Sequence, residues 1–221
     1  MHKVHVLSKF QKNPYPDALV IDTTSSSGDF SGLSPFLLNA ERYGAKNFEN
    51  LWQFSKVYPE HTEEIYTQLG IKYTILNEWF KWSQAGYNNP RAIRYPMGKG
   101  RKPLFSFWKG EKLDYVPARK KIYIPIYAEL VQSTDSFKRL QLLHGTSDIA
   151  LRDYDGYDYE TLNMSLREVA NNSQRKCGHA FVLKALLLDQ LDDMLCCGHC
   201  SDSSDGHCEN CSIHGGKIAS T

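Results

Sequence analysis

The ten residues Asn47-Phe-Glu-Asn-Leu-Trp-Gln-Phe-Ser-Lys56 constrain this chain more than any other stretch. Placed on a helix at about 100° per residue, Phe48, Leu51, Trp52 and Ser55 fall at i, i+3, i+4 and i+7 and predict one buried face. Glu49, Gln53 and Lys56 fall within roughly 60° of one another, beside that face rather than opposite it. A carboxylate, an amide and an amine are thus expected along one groove at the edge of a core. Two readings of the pattern stand: an amphipathic helix with an ordinary wet Glu/Lys side, and a reactive groove.

At 221 residues and 25.3 kDa the chain is long enough for one sizeable core with a small appendage. A formal net charge of +1 argues against a surface built to coat nucleic acid or a membrane. The 13 Tyr, 10 Phe and 4 Trp suit a pocket that stacks planar rings, and suit a packed core equally well. The start, Met-His-Lys-Val-His-Val, has no apolar run of the signal-peptide kind. The longest apolar stretch, Ala180 to Leu188, is broken by Lys184 and falls far short of the ~20 residues a membrane span needs. Five of the six cysteines lie in the last 26 residues, with Cys177 apart, which points to a reducing compartment rather than a disulfide framework. A cytoplasmic protein without membrane contact is expected.

Along the chain, His2 to Phe10 reads as an edge strand, Asn13 to Asp17 as a turn and Ala18 to Asp22 as a short buried strand. Thr23 to Gly28 is a loop of small polar residues, either a connector or a phosphate contact. Pro59 with Glu60, Glu63 and Glu64 predicts a helix start and Gly70 its stop, followed by a second helix over Ile71 to Ala85. Asn88 to Pro103, with Arg91, Arg94, Lys99, Gly100 and Arg101, is either a solvated basic loop or an anion clamp. Lys121 to Ile126 alternates like a strand, with Pro125 at its edge or end. A helix follows from Tyr127 or Ser133 through Leu143, closed by Gly145, then a strand over Asp148 to Arg152 and an Asp/Gly turn over Asp153 to Tyr157. Ser165-Leu-Arg-Glu168 is a capping-box start, and Gly178 to Leu195 carries the most regular helical pattern.

These pieces recur in a recognisable order: Leu33, Ser34 and Phe36; then Glu49, Gln53 and Lys56; then Gly100 and Arg101, Trp108, Phe137 and Leu140, Asp148, and Gly178. The order resembles the NADAR family, N-glycosidase-like proteins linked to ADP-ribose and riboflavin-pathway chemistry, over residues 30 to 190. The chain departs from that pattern at Asn50, where the family carries His, and at Asp155-Gly156-Tyr157, where it carries Trp-Gly. The segment Arg175 to Phe181 is a branch of its own.

The resemblance gives Lys56 the role of forming a Schiff base with an opened ribose. Desolvation against an apolar wall helps such an amine lose its proton, whereas an anionic Glu49 opposes that loss. Glu49 is the expected proton shuttle, and Asp155 a second acid/base or an acceptor for ribose. Gln53 is expected on a ribose hydroxyl and Arg101 on a phosphate. Trp52, Ser34, Phe36, Gly100, Asp153 and Tyr157 complete the expected substrate contacts. Asp158 joins Asp153 and Asp155 around one turn, which such residues also form for backbone reasons alone. His179 at the start of the last helix is read both as a ligand contact and as a structural group.

The tail holds Cys197, Cys200, Cys208 and Cys211, two C-x2-C knuckles with His199, His207 and His214 nearby. It reads as a structural zinc site or as a Cys/His-rich tail without a fold of its own. The expected architecture is therefore α+β: a helix-rich single NADAR-like domain over residues 1–192, and a short Cys/His-rich tail over 193–221. The expected function is hydrolysis of the base–ribose bond in a ribosylated base, nucleotide or ADP-ribose adduct, without a cofactor in the chemistry. Modified nucleic acid is a further candidate substrate, and the tail is the candidate contact for a protein partner. Two rivals use the same pocket: a base-modifying enzyme, and a module that only binds a nucleotide-type ligand.

Overall fold

The structure is a computed structural model that describes residues 2–68 and 70–196. In chain order its elements are β1 (Val4–Ser8), β2 (Leu19–Asp22), α1 (Phe48–Phe54), β3 (Lys56–Val57), β4 (Thr62–Thr67), β5 (Gly70–Ile75) and α2 (Asn77–Tyr87). There follow β6 (Phe105–Trp108), β7 (Glu111–Leu113), α3 (Tyr115–Ala118), α4 (Ile124–Gln132) and α5 (Asp135–His144). The last are β8 (Ile149–Asp153), α6 (Leu166–Asn171), α7 (His179–Leu187) and α8 (Leu191–Leu195). The class is α+β, with one parallel sheet and two antiparallel ones. No helix among the described residues is long and apolar enough to cross a membrane.

The chain gathers into two compact units, one of Met1–Ser34 with Arg119–Thr221, the other of Pro35–Ala118. In the first, the parallel sheet has the order β1-β8-β2, with Val6 and Ile21 both in register with Leu151. Two parallel neighbours and the covering helix α7 explain why Ile149, Ala150 and Leu151 are fully buried in succession. Buried Arg119 donates to the carbonyls of Val169, Ala170, Asn172 and Arg175, closing the end of α6 and the segment after it. The capping box at Ser165 forms as its sequence predicts: Glu168 N donates to Ser165 Oγ at 3.2 Å and Ser165 N to Glu168 Oε2 at 2.7 Å.

In the second unit the sheet β3-β6-β7 is antiparallel, and β4 and β5 form a separate two-stranded ribbon. Val57, Trp79 and Phe105 make a core to which Tyr73, Ile75, Trp82, Leu104 and Phe107 add partly buried rings and methyls. Helix α2 packs on α1 through a glycine: a Cβ at Gly86 would lie 1.9 Å from Phe54 Cδ1.

Four local expectations are corrected. Pro59 to Gly70 is not a helix: β-formers at Thr62, Ile65, Tyr66 and Thr67 face those of Ile71 to Ile75 across a ribbon. Gly70, at φ +119°, opens β5 opposite Thr67 rather than stopping a helix, and α2 starts only at Asn77. Lys121 to Ile126 is helical rather than extended, because Ile122, Tyr123, Ile124 and Ile126 are all buried and burial on every side hides the period. Pro125 sits in the first turn of α4, where no N–H is needed. The terminal helix is two, α7 and α8, parted where Asp189 takes φ +54°.

Gly86→Ala should lower stability by about 1–3 kcal/mol or more, because Phe54 must leave its place for the new methyl. Thermal unfolding followed by circular dichroism measures the shift, and an unchanged midpoint would refute the packing described.

Candidate active site

Asn47 caps α1, its side-chain oxygen accepting the Asn50 amide at 2.9 Å. The helix ends at Phe54, earlier than the sequence pattern suggests, so Lys56 is not on it. Lys56 opens β3 and pairs with Ser106. Helix α2 satisfies the end of this turn: Ser83 Oγ donates to the Phe54 carbonyl at 2.8 Å and Trp79 Nε1 to the Lys56 carbonyl at 2.9 Å. The three polar groups still meet. Gln53 Nε2 donates to Glu49 Oε1 at 2.9 Å, and Lys56 Nζ donates to Gln53 Oε1 at 2.7 Å. The ammonium lies 4.7 Å from the centre of the Trp52 ring. Glu49 is 6% exposed and Gln53 9%, whereas Lys56 is half-buried. A buried carboxylate is therefore linked through one amide to an amine nearer the surface.

Asn50, where the resembled family carries His, is fully buried and engaged elsewhere. Its Nδ2 donates to the Asn89 and Arg91 carbonyls at 2.9 Å each, and its Oδ1 accepts the Ile93 amide at 2.8 Å. One side chain thus fastens the start of the long basic connection to α1. Farther along, Arg101 forms an ion pair with Glu60, so its charge is already met by a carboxylate. Gly100, at φ +88°, shapes the backbone just before it. Phe36 lies in a segment docked on the first turn of α1, whose Glu49 and Phe48 amides donate to Pro35 and Leu38 at 2.9 Å.

In the other unit, Ser34 is buried where its segment ends. Asp153 and His179 lie at the carboxyl end of the parallel sheet and engage each other, Asp153 Oδ2 standing 3.2 Å from His179 Nδ1. Nε2 of that ring reaches the Thr23 carbonyl at 2.9 Å, and Asp153 Oδ2 also accepts the Ala180 amide at 3.4 Å. Both side chains are about 5% exposed, so they fasten α7 to the sheet and present little surface to a ligand. Gly178 makes this possible, since a Cβ there would sit 2.0 Å from Asp153 Oδ2. Asp155 faces outward and pairs with Lys176 at 3.0 Å. Tyr157 packs edge-on against Phe181, with Arg175 over its ring. Asp158 accepts the Tyr15 hydroxyl at 2.7 Å, which together with burial, the larger cause, pushes that phenol up to about 12.

The sequence reading missed Trp79 and Ser83, which hold the turn after α1, and buried Arg119. It also missed Lys184, 3% exposed, whose amine reaches Glu160 Oε1 at 2.8 Å while His5 faces the other oxygen. Burial lowers the pKa of Lys184 and the Glu160 carboxylate partly restores it. Among the described residues no group of three or more His, Cys, Asp or Glu is placed to hold a metal ion. Cys197, Cys200, Cys208 and Cys211 lie outside the described residues. No protein-family model, curated protein or solved structure matches the chain.

Asn50→Ala should free the Asn89 to Ile93 segment and cost about 1–3 kcal/mol, since a backbone N–H and two carbonyls lose their partner. Limited trypsin digestion should then cut faster at Arg91 and Arg94. Cleavage rates equal to those of the parent would show that the clamp does not hold the connection.

Proposed function

We propose that the chain is an N-glycosidase that hydrolyses the base–ribose bond of a ribosylated base, nucleotide or ADP-ribose adduct through a lysine imine. The observation that carries this reading is the linked set Glu49–Gln53–Lys56, with the amine lying against Trp52. The resemblance of the same three residues to the NADAR pattern supports it independently.

In this reading the unprotonated Lys56 amine adds to ribose C1 as the C1–base bond breaks, and the departing base nitrogen takes a proton from Glu49. Lys56, now a secondary ammonium, gives up one proton to solvent, and Glu49 regains one from it. The glycosylamine opens to an imine as its remaining N–H proton passes to the ring oxygen. Water then adds at C1 and returns the amine and the free aldehyde, which closes to the hemiacetal. The sum is one water consumed, with base and ribose released. Trp52, itself buried, backs the amine with an apolar wall. Arg101 contacts phosphate only by exchanging Glu60 for it. In the tail, Cys197, Cys200, Cys208 and Cys211 are proposed to bind one structural zinc, away from the chemistry.

Borohydride added during turnover on ADP-ribosylated nucleic acid or ribosylaminopyrimidine phosphates should trap an adduct on Lys56. The adduct and base release should both be lost in Lys56→Arg. Glu49→Gln should slow base release by about 10²–10⁴. Full activity in Lys56→Arg would end the imine mechanism; a ligand bound with no base released would mark a binding module instead. Separately, metal analysis of protein purified without chelator should find close to one zinc per chain, lost in the Cys197→Ser/Cys200→Ser variant, and a metal-free parent would remove the site.

A further inference from the structure

We propose that Tyr58 and His61, with Arg101 beside them, form a binding site for a phosphate group. The site lies in the connection from β3 to β4, makes no use of the Lys56 amine, and goes beyond the glycosidase reading rather than resting on it.

The connection is short and held on both sides. Pro59–His61 is a single 3-10 turn, closed where the His61 amide donates to the Tyr58 carbonyl at 2.9 Å. The Leu76 amide donates to the His61 carbonyl at 2.9 Å and ties the turn to the end of the β4–β5 ribbon. From α2 the Trp82 ring packs on the His61 ring at 4.5 Å between centroids, and Phe54 lies 4.6 Å from the same indole. The Tyr58 ring stands edge-on to both, 5.9 Å from His61 and 6.2 Å from Trp82. Tyr58 is 4% exposed and His61 7%.

Rings packed this deeply ordinarily have their polar tips answered within the protein. These two do not. The Tyr58 amide donates to His61 Nδ1 at 3.4 Å, which places the hydrogen of the neutral imidazole on Nε2. Burial lowers the pKa of His61, keeping the ring neutral, and raises that of Tyr58, keeping its hydroxyl protonated. Among the described residues neither His61 Nε2 nor the Tyr58 hydroxyl has a hydrogen-bond partner, and neither is sealed from solvent. Two uncharged donors are thus open on a rigid aromatic base. Arg101 adjoins them, ion-paired with Glu60, the residue just before His61, and its charge offsets part of the rise at Tyr58. Donors beside a guanidinium select an anion that only accepts. The three come from three separate side chains, which suits the diverging oxygens of a phosphate better than the planar pair of a carboxylate. On binding, the phosphate takes the place of Glu60 on Arg101.

The test is a titration of the full chain with inorganic phosphate in chloride buffer near neutral pH, followed by calorimetry and by the His61 ring signals in NMR. The parent should bind saturably, with those signals shifting along the same curve. Tyr58→Phe removes an oxygen that nothing in the described fold uses, so its thermal midpoint should match the parent while phosphate binds about ten-fold or more weakly. His61→Asn keeps an acceptor for the Tyr58 amide but loses the Nε2 donor, and should weaken binding by a similar factor. Glu60→Gln ends the competition for Arg101 and should tighten it. A parent that binds no phosphate overturns the site. So do Tyr58→Phe and His61→Asn variants that bind like the parent, since Arg101 would then act alone as a surface charge. Acetate bound as tightly as phosphate overturns the assignment to phosphate. Borohydride trapping on Lys56 is a separate readout: phosphate bound with no trapped adduct fails the glycosidase reading and leaves this site standing, and a trapped adduct with no phosphate bound does the reverse.

Discussion

All seven residues of α1 are buried, three of them polar side chains that water does not reach freely. A polar group in that position costs about 1–3 kcal/mol unless the protein itself provides its partner. The surroundings of α1 follow from this need. Glu49 takes Gln53, Gln53 takes Lys56, and Asn50 takes the backbone of the following connection. The Phe54 carbonyl at the end of the helix takes Ser83, and the Lys56 carbonyl at the start of β3 takes Trp79, both from α2. One short helix thereby fixes α2, the start of β3 and the entrance to the basic connection. The same hydrogen bonds hold the amine of the proposed site.

The parallel sheet of the other unit meets a similar demand differently. Its carboxyl end carries Asp153, which is met by the His179 ring and by an amide at the start of α7. The neighbouring buried cations are likewise answered from within: Arg119 by four carbonyls, Lys120 by the Cys196 carbonyl, Lys184 by Glu160. Burial also pushes the Cys177 thiol up to about 12, which disfavours the nucleophilic thiolate at neutral pH. Tyr154, Asp155 and Tyr157 remain the residues of that turn with outward surface.

Local signals with a short-range mechanism were legible in the sequence. Ser165 with Glu168, the strands ending at Asp22 and near Arg152, and the grouping of Glu49, Gln53 and Lys56 all depend on residues within a few positions. Signals decided by distant partners were not. Nothing local in Glu60, Glu63 and Glu64 reveals that the following residues find a β partner, and acidic residues suit a first helical turn as well as a ribbon's wet face. Lys121 to Ile126 reads as alternating because Tyr123, which looks like a polar position, is buried along with Ile122, Ile124 and Ile126. The grouping of Lys56 with Glu49 was foreseen for a helix that in fact ends two residues before the lysine; the return of the chain at Ser55 gives the same neighbours by another path. The engagement of Asp153 with His179 joins residues 26 apart, which no spacing rule connects.

The ribbon β4–β5 has a consequence for how molecules of this protein behave at high concentration. Each of its strands pairs only with the other among the described residues, so both outer edges are ladder templates. Tyr66 and Ile71 face each other across it and are largely exposed, which would ordinarily invite a third strand from another copy. Two devices oppose this. Glu63 and Glu64 put adjacent negative charges on β4, so a second β4 arriving antiparallel would bring four carboxylates together. On the other side, the Lys112 amine holds the Tyr73 carbonyl and removes an acceptor from the β5 edge. A ribbon that must stay exposed is thus guarded on one flank by repulsion and on the other by a lysine, and its solubility rests on charges that lie outside every apolar cluster of the fold.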